Sequence, residues 1–306
     1  MERQTYQSNA WVRGSLPAVV QGSFIDIGLA GRGTFRWVAA DLALALEEAR
    51  RRLDLAPLPS VALGRALVGA VLLQRLSLKV PARLILEVAG DGPLGSLRAE
   101  AEYTGRIRGT VANPRLAGES DGFRIASAIG NGSLNVTRET GRKRYSSKVN
   151  LVSGELGDDL THYLEQSEQI RSAVLLGVLP VPTGIGAAGG LIVEALPGTE
   201  EGALAQLESN LRALEGISTY LRDGGVARLI AATFEGLDVE HLEHYDLEYY
   251  CGCDRRRLLG HLRALGPEDL NELADDDGFC EAVCSFCGNR YRYEPGELSG
   301  APASAS

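Results

Sequence analysis

Long hydrophobic runs are missing from this 306-residue chain, and its first 250 residues contain no cysteine. The longest apolar runs, residues 66–73 and 173–182, are far shorter than the roughly 18 residues that a membrane-spanning helix needs. Residues 1–20 contain two arginines but have neither the apolar core nor the cleavage site of a secretory signal. We therefore expect a cytoplasmic protein with no membrane partner.

The sequence also has no phosphate-binding loop of the Gly-x-x-x-x-Gly-Lys-Ser/Thr type, so it does not support an ATP-driven mechanism. Residues 90–95 and 184–189 match the glycine pattern of dinucleotide sites, but each leads into a strand-like run and not into a helix. We interpret both as hairpin turns. His162, Ser167 and Glu168 lie on one predicted helix and could suggest a hydrolytic triad. Neighbouring residues of a helix point about 100° apart, so Ser167 and Glu168 cannot both face His162. We therefore predict that the protein is not an enzyme.

Positive charge is scarce at the C-terminal end. Residues 233–306 have 6 Lys+Arg against 16 Asp+Glu, whereas residues 1–232 have 25 against 24. A surface that binds nucleic acid needs clustered Lys and Arg, so we expect no nucleic-acid partner. The basic run at residues 142–144 lies between two predicted strands and is typical of a solvated hairpin end.

Hydrophobic periodicity predicts an α+β fold for residues 1–198, in which helices pack on an antiparallel sheet. This region is predicted to be the core domain. An amphipathic helix is predicted over residues 38–53, a buried core helix over 61–78 and a polar helix over 155–171. Predicted strands form a meander, with a hairpin signal at Gly130-Asn131-Gly132: residues 83–89, 95–103, 106–112, 123–129, 133–137 and 144–151, followed by 173–179 and 191–196.

Three smaller segments follow. Residues 199–232 are predicted to form a helical linker with Thr199 as its N-cap and with breaks at Gly216 and at Gly224-Gly225. Its stripe of Leu204, Leu207, Leu211 and Leu214 needs a partner surface to be stable, and the zinc-binding tail is one possible cover. Residues 233–294 are predicted to be a small zinc-binding domain with helices over 255–265 and 267–274. Residues 295–306 are predicted to be a disordered tail.

All five cysteines lie within 37 positions: Cys251, Cys253, Cys280, Cys284 and Cys287. In a reducing compartment such a cluster indicates a metal or redox site more than a disulfide framework. Cys251-Gly-Cys253 and Cys284-Ser-Phe-Cys287 supply four thiolates, which suit the tetrahedral shell of one zinc ion. Two interpretations are open: a purely structural zinc site, or a switch in which oxidants convert the thiolates to disulfides and eject the metal.

A catalytic zinc site is a weaker interpretation. His241-Leu-Glu243 followed by a Cys-x-x-Cys pair is similar to the zinc deaminase pattern. However, Val283 stands where that pattern has proline, and two further cysteines compete for the metal. A zinc ion held by four thiolates has no open position for substrate.

The chain resembles the redox-regulated heat-shock holdases called the 33 kDa chaperonin family over nearly its whole length. In the C-terminal part the matching residues are Cys251-Gly-Cys253, Leu265-Gly266, Glu268, Leu270, Glu272-Leu273, Val283-Cys284-Ser-Phe-Cys287 and Tyr291-x-Tyr293. In the body they are Leu63-Gly-Arg-Ala66, Gly90-Asp-Gly-Pro-Leu-Gly95, Gly130-Asn-Gly132, Tyr163-Leu-Glu-Gln-Ser-Glu-Gln169, Ala188-Gly-Gly190 and Leu196-Pro-Gly198. Two positions depart from the pattern: Asp254 replaces the usual serine, and Cys280 is extra.

The resemblance implies an ATP-independent chaperone that binds unfolding client proteins under oxidative stress, after thiol oxidation and zinc release. It also implies that residues 1–198 are the substrate-holding core domain. The reduced form is expected to hold one zinc ion on Cys251, Cys253, Cys284 and Cys287, and the oxidised form is expected to be a homodimer. We predict disulfides between Cys251 and Cys253 and between Cys284 and Cys287, because the shared metal holds each pair close together. The alternative is a zinc-ribbon regulatory or nucleic-acid-binding protein.

Overall fold

The computed structural model describes residues 22–77, 81–118 and 124–298 of the chain. The strands in these ranges are β1 Ser23–Ala30, β2 Phe35–Asp41, β3 Arg83–Gly90, β4 Ser96–Glu102, β5 Arg106–Val111, β6 Gly132–Thr140, β7 Lys143–Asn150, β8 Ser172–Val181, β9 Gly184–Ala195, β10 Val239–Tyr249, β11 Cys280–Val283 and β12 Arg290–Tyr293. The helices are α1 Ala43–Leu53, α2 Pro57–Ser77, α3 Ala126–Ile129, α4 Leu156–Tyr163, α5 Glu201–Ala213, α6 Ile217–Thr233, α7 Arg255–Arg263, α8 Pro267–Leu273 and α9 Pro295–Leu298.

Ten of the strands form one sheet in the order β7-β6-β3-β4-β5-β10-β1-β2-β9-β8. Every neighbouring pair is antiparallel except β10 and β5, which run parallel over a short contact at Glu248 and Tyr249. With helices packed on this sheet, the predicted α+β class is confirmed. The turn at residues 91–95 between β3 and β4 and the turn at residues 141–142 between β6 and β7 lie where the sequence predicted hairpin ends. The turn predicted over residues 184–189 is wrong, because these residues already belong to β9 and the chain turns at residues 182–183.

The predicted helix over residues 38–53 is wrong in its first part. Residues 38–41 belong to β2, and the helix begins only at Ala43. Val38 and Ala40 are buried in one apolar cluster, while Trp37 and Ala39 are buried in a second cluster on the other face of the sheet. A strand buried on both faces loses its alternation of polar and apolar residues, so its pattern does not differ from that of a buried helix.

The predicted strand over residues 123–129 and its hairpin are also wrong. Residues 126–129 form α3, and Ile125 and Ile129 are both buried at helical spacing. Gly130, with a φ of 74°, ends this helix, and β6 starts two residues later. Phe123 lies outside the described residues. β6 then pairs with β3 and not with the strand before it, so the meander is limited to β3, β4 and β5.

Helix α2 is the centre of the larger apolar cluster, as its sequence predicted. It packs across strands β2 to β5, β8 and β9. In the described part of the chain, only this helix is long and apolar enough to span a membrane by length and composition, but 83% of that stretch is buried inside the fold. Its burial is typical of a core helix.

The linker helices α5 and α6 cover the opposite face of the sheet. Their breaks occur at the predicted glycines: Gly216 has a φ of 64°, and Gly224 and Gly225 are non-helical. Thr199 is not the N-cap, because α5 starts after Glu200 and the Thr199 hydroxyl donates to the backbone oxygens of Leu196 and Thr34.

The leucine stripe of α5 has a different partner from the zinc-binding tail considered above. Leu207 is buried and the other three leucines are partly buried in a cluster with Phe35, Trp37 and Val193 of β2 and β9. The cluster contains no residue beyond Val239. The sheet therefore covers this stripe.

Strand β10 falls within residues 233–294, which were predicted to form the zinc-binding domain. In the structure it lies in the ten-stranded sheet between β5 and β1. Its sequence is rich in His, Asp and Glu because one face is largely exposed, and this composition concealed the strand. The small C-terminal unit thus begins after Tyr249, not at residue 233. Residues 295–298 form α9, with Leu298 buried against Cys280 and Tyr293, so the disordered tail does not begin at residue 295. Residues 299–306 lie outside the described part of the chain.

Candidate metal and redox centre

Four cysteine sulfurs from two separate loops converge just beyond the edge of the sheet. Cys251 and Cys253 follow the end of β10, while Cys284 and Cys287 lie between β11 and β12. The four sulfurs lie within 4.8 Å of one another. The Sγ atoms of Cys251 and Cys284 are 3.5 Å apart, and those of Cys253 and Cys287 are 3.4 Å apart.

Backbone hydrogen bonds shape both loops. The last contact of β10 with the sheet is made by the amide of Tyr250, which donates to Ile107, so the chain turns away at Cys251. In the second loop the amides of Cys287 and Gly288 both donate to the carbonyl oxygen of Cys284. Gly288 has a φ of 70°, and a Cβ atom there would lie 2.4 Å from the backbone oxygen of Arg52. Glycine is therefore needed both for the turn and for the close approach to α1.

The donor set fits zinc. All four converging groups are thiols, and Cys284 and Cys287 are buried while Cys251 and Cys253 are half-buried. Four soft sulfur ligands at this spacing match the closed tetrahedral shell of a structural zinc site. These residues would hold the ion, and the ion in turn would keep their sulfurs as thiolates.

Without metal, the four thiols are in unequal environments. Burial raises the pKa of Cys251 to about 11 and also raises the pKa of Cys287. Burial opposes ionisation of Cys253 too, but hydrogen bonds from Tyr291 and the other cysteines outweigh it and lower its pKa. The Tyr291 hydroxyl is 3.1 Å from the Cys253 sulfur. In the sequence, Tyr291 is noticeable only as part of the family pattern, and in the structure it lies on β12 opposite Ala282 of β11.

Cys280 lies apart from this cluster. It is fully buried with Tyr293 and Leu298, and its sulfur is 3.7 Å from the backbone oxygen of Leu270. Asp254, the other departure from the family pattern, has a local role: its side chain accepts a hydrogen bond from the amide of Arg256 and caps α7. A serine could provide the same cap, so the departure conserves this function.

The centre is joined to the sheet by residues that the sequence analysis missed. The Tyr249 hydroxyl lies 2.5 Å from the backbone oxygen of Phe286 and 3.1 Å from that of Gly109 in β5. The Arg108 guanidinium stacks on the Phe286 ring at 4.3 Å, and it also donates to the buried carboxylate of Glu100 at 2.6 Å. Because these contacts join distant parts of the chain, no local pattern could have predicted them.

The other candidate sites do not assemble. Glu168 accepts from the Tyr163 hydroxyl and pairs with Arg138, which leaves no triad with Ser167 and His162. His241 lies on β10 beside Asp26 and is not part of the four-cysteine group, so the deaminase pattern also fails.

The chain is similar to known proteins of one family. The family model described as Hsp33 protein matches residues 25–294. The 33 kDa chaperonin of Thermus thermophilus is 42% identical over 286 residues, covering 89% of this chain and 84% of that protein. The 33 kDa chaperonin of Limosilactobacillus fermentum is 39% identical over 281 residues, covering 88% and 95%. The crystal structure of the 33 kDa chaperonin of Thermotoga maritima superposes with a TM-score of 0.83 at 32% identity, covering 91% of this chain and 97% of that one. The chain therefore belongs to the Hsp33 family of chaperones.

Proposed function

We propose that this protein is a redox-regulated, ATP-independent holdase that is inactive when reduced and zinc-bound. The observation that carries the proposal is the convergence of four cysteine sulfurs within 4.8 Å at the junction between the sheet and the small C-terminal unit. At this place the oxidation state of the thiols can decide whether the unit stays folded against the sheet. In this proposal the protein has no catalytic residues, and its partners are unfolding client proteins.

The proposed switch consumes a peroxide or hypochlorite as oxidant. One thiolate attacks the oxidant and becomes a sulfenic acid, and a neighbouring thiol then displaces water from that sulfur to form a disulfide. With hydrogen peroxide, each disulfide removes two electrons from two thiols and yields two water molecules. We propose the pairs Cys251–Cys253 and Cys284–Cys287, each of which closes a short loop.

Loss of the thiolates removes the zinc ion, and with it most of the stability of residues 250–298. The apolar cluster of this unit has only three buried members, Cys280, Tyr293 and Leu298. A structural zinc site supplies about 10–16 kcal/mol of apparent binding free energy in small zinc domains. A unit with so small a core is not expected to stay folded without such a contribution.

The proposed client-binding surface is the apolar face now covered by α5 and α6. Phe35, Trp37, Leu191 and Val193 lie under these helices. The helices are interrupted by Gly216 and by Gly224-Gly225, so their stability depends on packing. Unfolding of the zinc-binding unit releases only the Tyr249 end of β10, because the rest of the strand stays paired with β1. We propose that this release weakens the cover formed by α5 and α6, which precede β10 in the chain. An exposed apolar face of this kind can hold unfolded chains.

The alternative, a zinc-ribbon protein that binds nucleic acid, needs a basic surface near the metal. Arg255 pairs with Glu297, Arg290 with Glu281 and Arg292 with Asp275. These ion pairs reduce the positive charge that is available for phosphate. The holdase is therefore the function that the arrangement favours.

The test measures zinc content and suppression of a client's thermal aggregation, before and after treatment with hydrogen peroxide. The expected result is one zinc ion on the thiols and little suppression before treatment, with zinc release and strong suppression after it. Equal suppression in both states would reject the redox switch. Suppression in neither state would reject the holdase.

A further inference from the structure

A second cluster of metal-ligating side chains lies within the sheet, distinct from the cysteines. Asp26 of β1 and His241 and His244 of β10 bring a carboxylate oxygen and two imidazole nitrogens within 4.8 Å of one another. The Asp26 Oδ1 atom is 3.0 Å from His241 Nε2 and 2.6 Å from His244 Nδ1. The Asp26 side chain is 2% exposed, and those of His241 and His244 are 5% and 12% exposed.

A β-bulge makes this convergence possible. Residues three apart on a regular strand point to opposite faces of the sheet. Here His244 pairs with Asp26, and His241 pairs with Gly28, so Leu242 is the extra residue without a partner in β1. The bulge turns both imidazoles to the face that carries Asp26, while Leu242 is 47% exposed. Bulges of this kind commonly re-aim side chains at functional sites.

Aromatic rings pack against both imidazoles. Phe24 stacks on the His244 ring with 5.3 Å between centroids, and the Trp37 ring lies 6.1 Å from the His241 ring. Gly28 leaves the space for Trp37, because a Cβ atom there would be 2.2 Å from the indole. His244 Nε2, on the side away from Asp26, is 3.7 Å from the Asp246 carboxylate. In metal sites, a carboxylate near the other ring nitrogen of a ligating histidine often orients the imidazole.

We infer that Asp26, His241 and His244 bind a divalent transition-metal ion, for which zinc is the natural candidate. Two nitrogens and one carboxylate oxygen with a water molecule would complete a four-coordinate site. At bond lengths of about 2.0–2.1 Å, tetrahedral ligands are about 3.3 Å apart. The Asp26 oxygen, now 3.0 Å from His241 Nε2 and 2.6 Å from His244 Nδ1, would therefore move apart from both nitrogens by less than about 1 Å to admit the ion. This ion would clamp β10 to β1 without any thiol.

Such a site differs from the cysteine centre in its response to oxidants. Imidazole and carboxylate ligands are not converted to disulfides by peroxide, whereas thiolates are. The ion on Asp26, His241 and His244 is therefore retained when the cysteine centre loses its metal. It would hold β10 in the sheet while the residues beyond it unfold. The inference does not rest on the proposed holdase function.

The test compares zinc per chain, by elemental analysis in a zinc-buffered solution, for the full-length protein and two variants. His244→Asn and His241→Gln each place an amide nitrogen near the nitrogen that now contacts Asp26, so each preserves a hydrogen bond but removes a metal ligand. His162→Asn, on α4, is the matched control. We expect each cluster variant to bind one zinc ion fewer than the parent and the control, with affinity at this site weakened by more than about 100-fold.

Equal zinc content in the parent and in both cluster variants would overturn the inference and leave a hydrogen-bond network only. If the variants fail to fold, nuclear magnetic resonance on the parent protein decides. Zinc added to peroxide-treated protein, after a chelator has removed all bound metal, should shift the ring signals of His241 and His244 and leave that of His162 unchanged. Unshifted His241 and His244 signals would equally overturn it.

Discussion

The hydroxyl of Tyr249, the last residue of β10, lies 2.5 Å from the backbone oxygen of Phe286, which stands between two of the four clustered cysteines. The same hydroxyl is 3.1 Å from Gly109 of β5. One buried side chain thus contacts the cysteine loop and the sheet at once. Any change that unfolds the loop must break this contact, so Tyr249 is one residue that couples the centre to the sheet.

Replacing Tyr249 by phenylalanine should weaken zinc binding while leaving the sheet intact. Two backbone oxygens lose a hydrogen-bond partner at a buried position, at a cost of about 1–2 kcal/mol. This corresponds to a roughly five- to thirty-fold loss of zinc affinity, measured by competition with a chelator. Tyr250→Phe is the control, because Tyr250 is 41% exposed. Equal affinity in the two variants would contradict the proposed coupling.

Replacing Cys280 by serine should leave the zinc content of the cysteine centre unchanged. Cys280 lies in the apolar cluster with Tyr293 and Leu298 and not among the four converging sulfurs. Cys284→Ser is the matched variant and should lose the ion. Elemental analysis of both proteins, reduced and at equal concentration, provides the measurement. A lower content in the Cys280 variant would place this residue in the metal shell.

Peroxide oxidation should produce disulfides within each pair, Cys251 with Cys253 and Cys284 with Cys287. The alternative is a pair of disulfides between the two loops. The sulfurs of Cys251 and Cys284 are 3.5 Å apart, and those of Cys253 and Cys287 are 3.4 Å apart. Peptide mapping under non-reducing conditions distinguishes the two patterns. Predominant bonds between the two loops would reject the proposed pairing.

Hydrogen exchange should show where the oxidised, metal-free protein unfolds. We expect lost protection in α5, α6 and residues 250–298, while β10 stays protected because it pairs along its length with β1. Protection of the remaining sheet should persist. Loss throughout the chain would indicate global unfolding, and full protection after residue 200 would mean that the zinc site is only structural.

Replacing Glu100 by glutamine should destabilise the sheet and loosen the Arg108–Phe286 stack. Glu100 is 2% exposed and accepts from Arg83, Arg98 and Arg108. Burial opposes its ionisation, but the arginines outweigh burial and lower its pKa. We expect a loss of about 2–3 kcal/mol at neutral pH, below the full cost of breaking a buried pair because the arginines are partly exposed.

The pH dependence of this loss follows from the direction of the pKa shift. A carboxylate whose pKa is lower in the folded state stabilises the protein above its unfolded pKa of about 4.3. The stabilisation disappears as the pH falls through the folded pKa. Urea unfolding of the parent and the Glu100→Gln variant should therefore give a difference that shrinks below about pH 4. A difference independent of pH would point to packing and not to charge.

Features that depend on neighbouring residues could be predicted from the sequence. The apolar circumference of α2, the strands β3 to β5, the glycine breaks in the linker and the two cysteine pairs were all predictable, because local patterns of side chains specify them. The spacing of these cysteines also predicted that the two pairs share one zinc ion. The family resemblance added the expectation of a redox-regulated chaperone.

The tertiary structure alone decided what depends on pairing across the sheet. It placed β10 between β5 and β1, although its acidic composition suggested otherwise, and it made residues 38–41 a strand. It also created the bulge at Leu242 that brings His241 and His244 to Asp26. The physical reason is that burial on a given face and contacts between residues more than 200 positions apart are properties of the assembled sheet, and no local stretch of sequence encodes them.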